Sequence, residues 1–334
     1  MTRIGFHASH EQFTPGELLE LVQRAEQAGF DAAMCSDHFH PWSQSQGQSG
    51  FAWSWLGAAL ATTRLPFGVV TSPVGRYHPA VIAQAAATLA QMFEGRFWMA
   101  AGSGEVLNEG ITGEPWPPHQ QRSQRMHEAV SIMRRLWSGE EVTHHGAVTI
   151  EQARLYTRPK QAPPVYVAAL SEETARWAGG WADGLITISL PHGRLKSVID
   201  AFHEGGGEGK PLLLQVKLSY EDTDDAALAG AHAQWRFNVF DNAIAAELRT
   251  PQQFEAAAKH VKREAMSDAV RISSDPQRHV DWLRKDIELG FSGIYLHNVN
   301  RRQREFVDAF GEQVLPALRD AGSRDAKADQ KKKE

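Results

Sequence analysis

The chain has 334 residues, a net charge of −5, and 42% hydrophobic against 22% charged residues, a globular composition with room for one large domain. That charge gives no bulk attraction to nucleic acid or to an anionic membrane. The single cysteine, Cys35, rules out an intrachain disulfide, and no apolar run approaches the ~20 residues that span a bilayer. The N-terminal stretch MTRIGFHASH lacks the apolar core of a signal peptide, so a cytoplasmic protein is expected.

Short apolar runs alternate with amphipathic segments along the chain. RIGFHA reads as a strand, and the following GELLELVQRAEQAG as a helix with Leu18, Leu21, Val22 and Ala25 on its inner face and Gly29 at its end. DAAMCS is a second strand. SWLGAALATT is a helix, LPFGVVT a strand, and PAVIAQAAATLAQMF a helix starting near Pro79, a good first-turn residue. RFWMAAG is a strand, and the helix after it ends at Gly139. VTHHGAVTI reads as a hairpin around Gly146. PPVYVAA, GLITIS, PLLLQVKLSY and SGIYLH are further strands, each followed by a helical segment.

Eight strands alternating with helices predict a parallel sheet with right-handed crossovers, and a (β/α)8 TIM barrel with insertions is the expected fold. A doubly wound sheet is the alternative, but the glycine-rich turn it carries after its first strand is absent from ASHEQFTPG. The barrel is expected as one domain over residues 1–321, with insertions near 142–160 and 238–274 and a disordered charged tail over 322–334.

In such a barrel the functional face lies at the C-terminal ends of the strands, and polar residues crowd there. Glu11 follows the first strand; Asp37, His38, His40 and Trp42 follow the second; Thr71, Ser72 and Arg76 the third; Ser103, Glu105 and Asn108 the fourth. Each also has a plainer reading. Asp37 suits a turn cap, His38 a satisfied core histidine, His40 an exposed surface position, and Glu105 the N-terminus of the short helical turn VLNE. Ten tryptophans are enough that some are expected to line a concave surface. DHFH holds common metal ligands, but no third ligand set is evident in the sequence, and no metal is expected.

The stretches ASHEQFTP, SDHFHPW, RYHPAVIAQA, GSGEVLNE and RRLWSGEEVTHHG resemble the F420-dependent glucose-6-phosphate dehydrogenases of the bacterial-luciferase-like flavin superfamily. The resemblance implies the same barrel, as a homodimer. It assigns a catalytic trio to His38, Trp42 and Glu105, with Glu11 nearby. It assigns cofactor contacts to Asp37, Ser103 and Asn108, a non-prolyl cis peptide against the ring to Val70–Thr71, and a phosphate contact to Ala168, Ala169 and Leu170, where Ala169 and Leu170 replace a glycine pair. The family's clamp for a sugar phosphate falls on Ile188, Pro191, Ala256 and Trp282, none of which binds phosphate.

The expectation is therefore a flavin-dependent oxidoreductase with FMN, alternatively coenzyme F420, acting by hydride transfer or monooxygenation on a small substrate that is not a sugar phosphate. His38 would serve as base toward the substrate oxygen, Glu105 as proton donor or acceptor at the ring edge, and Trp42 as a wall. The alternatives are an F420-dependent alcohol or aldehyde dehydrogenase and a non-catalytic flavin-binding protein.

Overall fold

A computed structural model describes residues 2–319, without the side chains of 242 and 243. Eight parallel strands form its centre: β1 Arg3–Ala8, β2 Ala32–Ser36, β3 Phe67–Thr71, β4 Phe97–Ala101, β5 Val165–Ala168, β6 Gly184–Ile188, β7 Leu212–Ser219 and β8 Gly293–Asn298. Each pairs with the next, and β8 pairs with β1, so the sheet closes into a TIM barrel with no free edge. Helices cover its outside. The strands are therefore buried on both faces, which is why they read as nearly unbroken apolar runs. The tail expected over 322–334 lies outside the described residues.

The first helix, Pro15–Gln27, shows how local sequence sets these units. Thr14 and Glu17 form a capping box, Pro15 opens the first turn, and Leu18, Leu21, Val22 and Ala25 are buried. Gly29, at φ 94°, ends the helix in a backbone conformation that side chains resist.

The N-terminal end of the barrel is plugged by aromatic rings. Trp98 lies 5.2 Å from Tyr166 and 5.6 Å from Tyr295, centroid to centroid. The rings fit because the neighbouring strand carries glycine in register with each: a Cβ on Gly68 would sit 1.9 Å from Trp98, and one on Gly5 2.4 Å from Tyr295. With this end filled, space for a ligand remains at the other.

Both insertions are present. The hairpin pairs Val142–His145 with Thr149–Ala153. The later insertion contains helices Asn242–Ala245 and Pro251–Ala258, a 3-10 turn Arg263–Asp268, and a two-residue strand, Arg271–Ile272, paired with β7. Phe254 and Ala258 of this insertion pack with Phe237, Leu107 and Trp42, which covers one side of the barrel mouth. Among the described residues no helix is long and apolar enough to cross a membrane.

One backbone expectation is corrected. No peptide bond among the described residues is cis, so Val70–Thr71 is trans. The Val70 and Thr71 carbonyls accept from residues that follow the neighbouring strands: Val70 O from Asp37 N at 2.9 Å and Thr71 O from Gly102 N at 2.9 Å. A trans bond keeps this pairing and avoids the roughly 2.5–4 kcal/mol that a non-prolyl cis bond costs.

Candidate active site

The loops after β1, β2 and β4 converge on one cluster of ionisable groups. Glu11 is buried; its Oε1 lies 2.5 Å from His38 Nδ1, and its Oε2 accepts from Ser9 Oγ at 2.8 Å. Burial alone would lower the His38 pKa, but the Glu11 carboxylate outweighs it and raises the value above 6.5. Burial likewise opposes charge on Glu11, and His38 overrides it, holding that carboxyl below the usual range. With Nδ1 committed to Glu11, His38 presents Nε2 as its free ring atom. Trp42 stands edge-on to the imidazole at 5.4 Å and also packs edge-on against Phe254, again at 5.4 Å. The indole is thus clamped between His38 and the later insertion.

Glu105 occupies the N-cap position of the short helix Val106–Glu109, but its side chain makes no capping hydrogen bond. Among the described residues its side chain's only hydrogen bond is a long one from Asn108 Nδ2, 3.5 Å. Burial raises its pKa, against the pull of His38 and Lys217. A carboxyl kept from its local cap and shifted toward the protonated form is suited to proton transfer. Asn108 also accepts from the Phe39 and His40 backbone N–H groups at 2.9 and 3.1 Å, which ties the β2 loop to the β4 loop. His40 is half-buried rather than at the surface, because its Nδ1 meets Leu107 O at 2.8 Å.

Asp37 anchors this arrangement from below. Its Oδ2 accepts from Trp53 Nε1 at 3.1 Å and Thr71 Oγ1 at 2.8 Å; its Oδ1 meets Tyr77 OH at 3.2 Å and Arg76 at 3.0 Å. Arg76 also pairs with Glu109 at 2.7 Å and donates to Asp37 O at 2.6 Å. Burial pushes Glu109 up to about 7 despite the guanidinium beside it. This network locks β2, β3 and the β4 loop together.

Lys217 was not legible as a site residue. It lies on β7, where Leu213, Gln215 and Lys217 alternate onto the barrel interior, a period-two signal present in LLLQVKLS. Among the described residues its Nζ has no hydrogen-bond partner, and it sits 5.3 Å over the Trp235 ring. Burial brings its pKa down to about 8, with Glu105 pulling the other way. Deeper in the barrel, Gln215 Nε2 meets the His7 ring, which packs 4.2 Å from the His297 ring.

The remaining expected residues are spread more widely. Ser103 is half-buried just past the end of β4, and its hydroxyl has no hydrogen-bond partner among the described residues. Val70 and Thr71 hold the β3 end. Ala168, Ala169 and Leu170 end β5, with Ala169 N donating to Ile186 O at 3.0 Å. Ala256 is exposed on the helix Pro251–Ala258, and Trp282 packs at 5.2 Å on His279 in the outer helical layer. Trp282 is therefore not a rim residue, which corrects its expected place in the substrate pocket. His192 is turned toward Asp286, 3.4 Å away. Among the described residues no cluster of three or more His, Cys, Asp or Glu could hold a metal ion.

A family model described as luciferase-like monooxygenase matches residues 1–293. The protein belongs to the luciferase-like family. Within that family it is similar to proteins described as F420-dependent glucose-6-phosphate dehydrogenase. That of Beutenbergia cavernae is 36% identical over 330 residues, covering 96% of this chain and 98% of the relative. That of Intrasporangium calvum is 37% identical over 341 residues, covering 96% and 99%. Among solved structures, an F420-dependent secondary alcohol dehydrogenase in complex with an F420-acetone adduct superposes with a TM-score of 0.89 at 33% identity, covering 95% of this chain and 99% of that one. A monooxygenase from Streptomyces bottropensis, at 19% identity and a TM-score of 0.70, shares the fold of this luciferase-like protein.

Proposed function

We propose that this luciferase-like oxidoreductase uses coenzyme F420 and moves a hydride between a small secondary alcohol and its ketone. The observation that carries the reading is the Glu11–His38 contact, which leaves one ring nitrogen of a raised-pKa histidine at a mouth walled by Trp42 and faced by Glu105. F420 is preferred to FMN because relatives at 33–37% identity are described as F420-dependent.

The mouth fits such a coenzyme. Among the described residues the Ser103 hydroxyl and Lys217 Nζ have no hydrogen-bond partner, and Glu105 is held by one long hydrogen bond. When bound, the deazaflavin supplies the hydride acceptor or donor. His38 Nε2 takes the proton from the alcohol hydroxyl, and Glu11 stabilises the resulting imidazolium through Nδ1. Glu105 holds or releases a proton at the far side of the mouth. Trp42 and Phe254 exclude water from the reacting carbon.

A phosphorylated sugar suits this pocket poorly. Ile188, Pro191 and Ala256 offer no side-chain donor for a phosphate dianion, and Trp282 packs on His279 in the outer helical layer. Steady-state assays with F420 against a panel of secondary alcohols and against glucose 6-phosphate test the reading. Saturable oxidation is expected only with the alcohols. Oxidation of glucose 6-phosphate at or below millimolar concentration would overturn the substrate class, and FMN in the purified protein would overturn the coenzyme.

A further inference from the structure

We propose that the secondary alcohol oxidised by this protein carries a carboxylate and that Lys217 binds it, so that the substrate is a short hydroxy acid and the product its keto acid. The inference rests on the alcohol reading above and names the substrate class within it.

Lys217 is the last of three residues that β7 turns into the barrel. Leu213 packs with Trp98 and Tyr295 in the aromatic plug. Gln215, one layer up, meets the His7 ring, and Lys217 stands above it, in register with His297 of β8. Gln215, Lys217 and Glu105 are each half-buried. In a closed barrel, inward side chains that still reach solvent line an opening, so the mouth extends down to the layer of Gln215 and His7.

The wall of this opening joins Lys217 to His38. Lys217 Nζ sits 5.3 Å over the ring of Trp235, the last residue of the helix Asp224–Trp235. Trp235 stands edge-on to His297 at 4.8 Å and shares an apolar cluster with Met266, Val270 and Trp42. Trp42 in turn stands edge-on to His38. A substrate whose hydroxyl meets His38 Nε2 extends along these two indoles, and Lys217 lies farther along the same wall.

The acids around the mouth leave this ammonium without a counter-charge. Glu11 is paired with His38, and Asp37 and Glu109 with Arg76. Glu105 is near enough for each group to act on the pKa of the other, yet among the described residues no ion pair joins them. Burial takes His7 down to about 4 and His297 well below 6.5, so both imidazoles beneath Lys217 are neutral. Lys217, at about 8, keeps its charge at neutral pH. A charge withdrawn from water without a partner is costly, and a substrate carboxylate removes that cost. Trp235 Nε1, buried and unpaired among the described residues, is a second donor on the same wall. One ammonium and one indole N–H suit a carboxylate, whereas a phosphate dianion needs several charged donors.

The carboxylate takes no part in the reaction. The carbinol carbon gives its hydride to F420, the hydroxyl proton goes to His38, and the keto acid is left.

The test compares each hydroxy acid with the alcohol that has a methyl group in place of its carboxylate: 3-hydroxybutanoate with butan-2-ol, and 4-hydroxypentanoate with pentan-2-ol, all with F420. For the better pair, the wild-type kcat/KM is expected to be at least about tenfold higher for the acid, the worth of one charge-assisted hydrogen bond. In Lys217→Met this preference should disappear, chiefly through the KM of the acid; Lys217→Arg, which keeps the charge, should retain part of it. The ratio is the readout because an effect passed on through Glu105 changes both compounds together. Calorimetry of the F420-loaded protein with pentanoate, which has no carbinol to oxidise, should show a similar loss of affinity in Lys217→Met, with F420 affinity unchanged as a sign of an intact fold. A smaller wild-type preference, or one that Lys217→Met leaves unchanged, overturns the hydroxy-acid assignment and leaves the alcohol reading standing. Weakened F420 binding in Lys217→Met places the ammonium on the coenzyme and overturns the assignment as well. Oxidation of none of these compounds overturns both readings.

Discussion

His38 Nδ1 and Glu11 Oε1 lie 2.5 Å apart, although the two residues belong to different barrel loops. This contact makes the histidine a stronger base and sets a pH dependence. Alcohol oxidation needs Nε2 unprotonated, so kcat/KM is expected to rise with pH through a pKa above 6.5. In Glu11→Gln the carboxylate is gone and burial dominates. The limb should then move to lower pH, with a plateau about 10–100-fold lower. A limb that stays in place would show that Glu11 does not tune His38.

The same contact links pH to stability. The raised His38 pKa contributes fully below the unfolded value of 6.5 and is lost as pH rises through the folded value. The depressed Glu11 pKa contributes above 4.5 and is lost as pH falls through its folded value. The pair should therefore stabilise the fold most between 4.5 and 6.5. Urea midpoints across pH, compared with Glu11→Gln, will show whether the difference narrows on both sides of that window.

Glu105→Gln keeps the side chain's shape and removes its capacity to transfer a proton. Coenzyme binding should persist while turnover falls on the order of 10²–10⁴-fold. Turnover at the wild-type level would remove Glu105 from the proton-transfer role.

Lys217→Met tests the ammonium on β7. Lys217 pulls the Glu105 pKa down, so its loss should raise that pKa further and move the Glu105 limb of the ketone-reduction profile to higher pH. The position of the limb is the readout, because a purely structural effect would lower rates without shifting it.

The Asp37–Arg76–Glu109 network is buried, with the three side chains no more than 5% exposed. Arg76→Met leaves two carboxylates unpaired at the base of the site. Removing one partner of a buried pair costs about 3–5 kcal/mol, and chemical denaturation should show a loss of that order.

A homodimer is also expected. Phe51, Val81 and Met92 are more than half exposed on or beside the helices Ala52–Thr62 and Pro79–Met92, a surface that a second copy would cover. Light scattering at micromolar concentration should give twice the chain mass of 37.0 kDa.

The units of this fold are written locally in the chain. Apolar residues at helical spacing marked the buried face of Pro15–Gln27, residue for residue. Apolar runs marked all eight barrel strands, and the polar residues after the first four of them fall at one end of the barrel. These features depend on side-chain periodicity and on turn chemistry within a few positions, which sequence displays directly.

The contacts that make the site were decided by barrel closure. Glu11 reaches His38 because β1 and β2 are neighbours in register. Lys217 acts on Glu105 because β7 and the loop after β4 bring their groups to the same end of the closed barrel. Trp42 becomes a wall only when Phe254, more than two hundred positions away, folds over it. The trans bond at Val70–Thr71 and the N–H groups of Lys217 and Trp235 left unpaired among the described residues belong to the same class. Each depends on which distant groups arrive to satisfy a backbone carbonyl or a buried N–H, and that pairing is settled only when the sheet has closed.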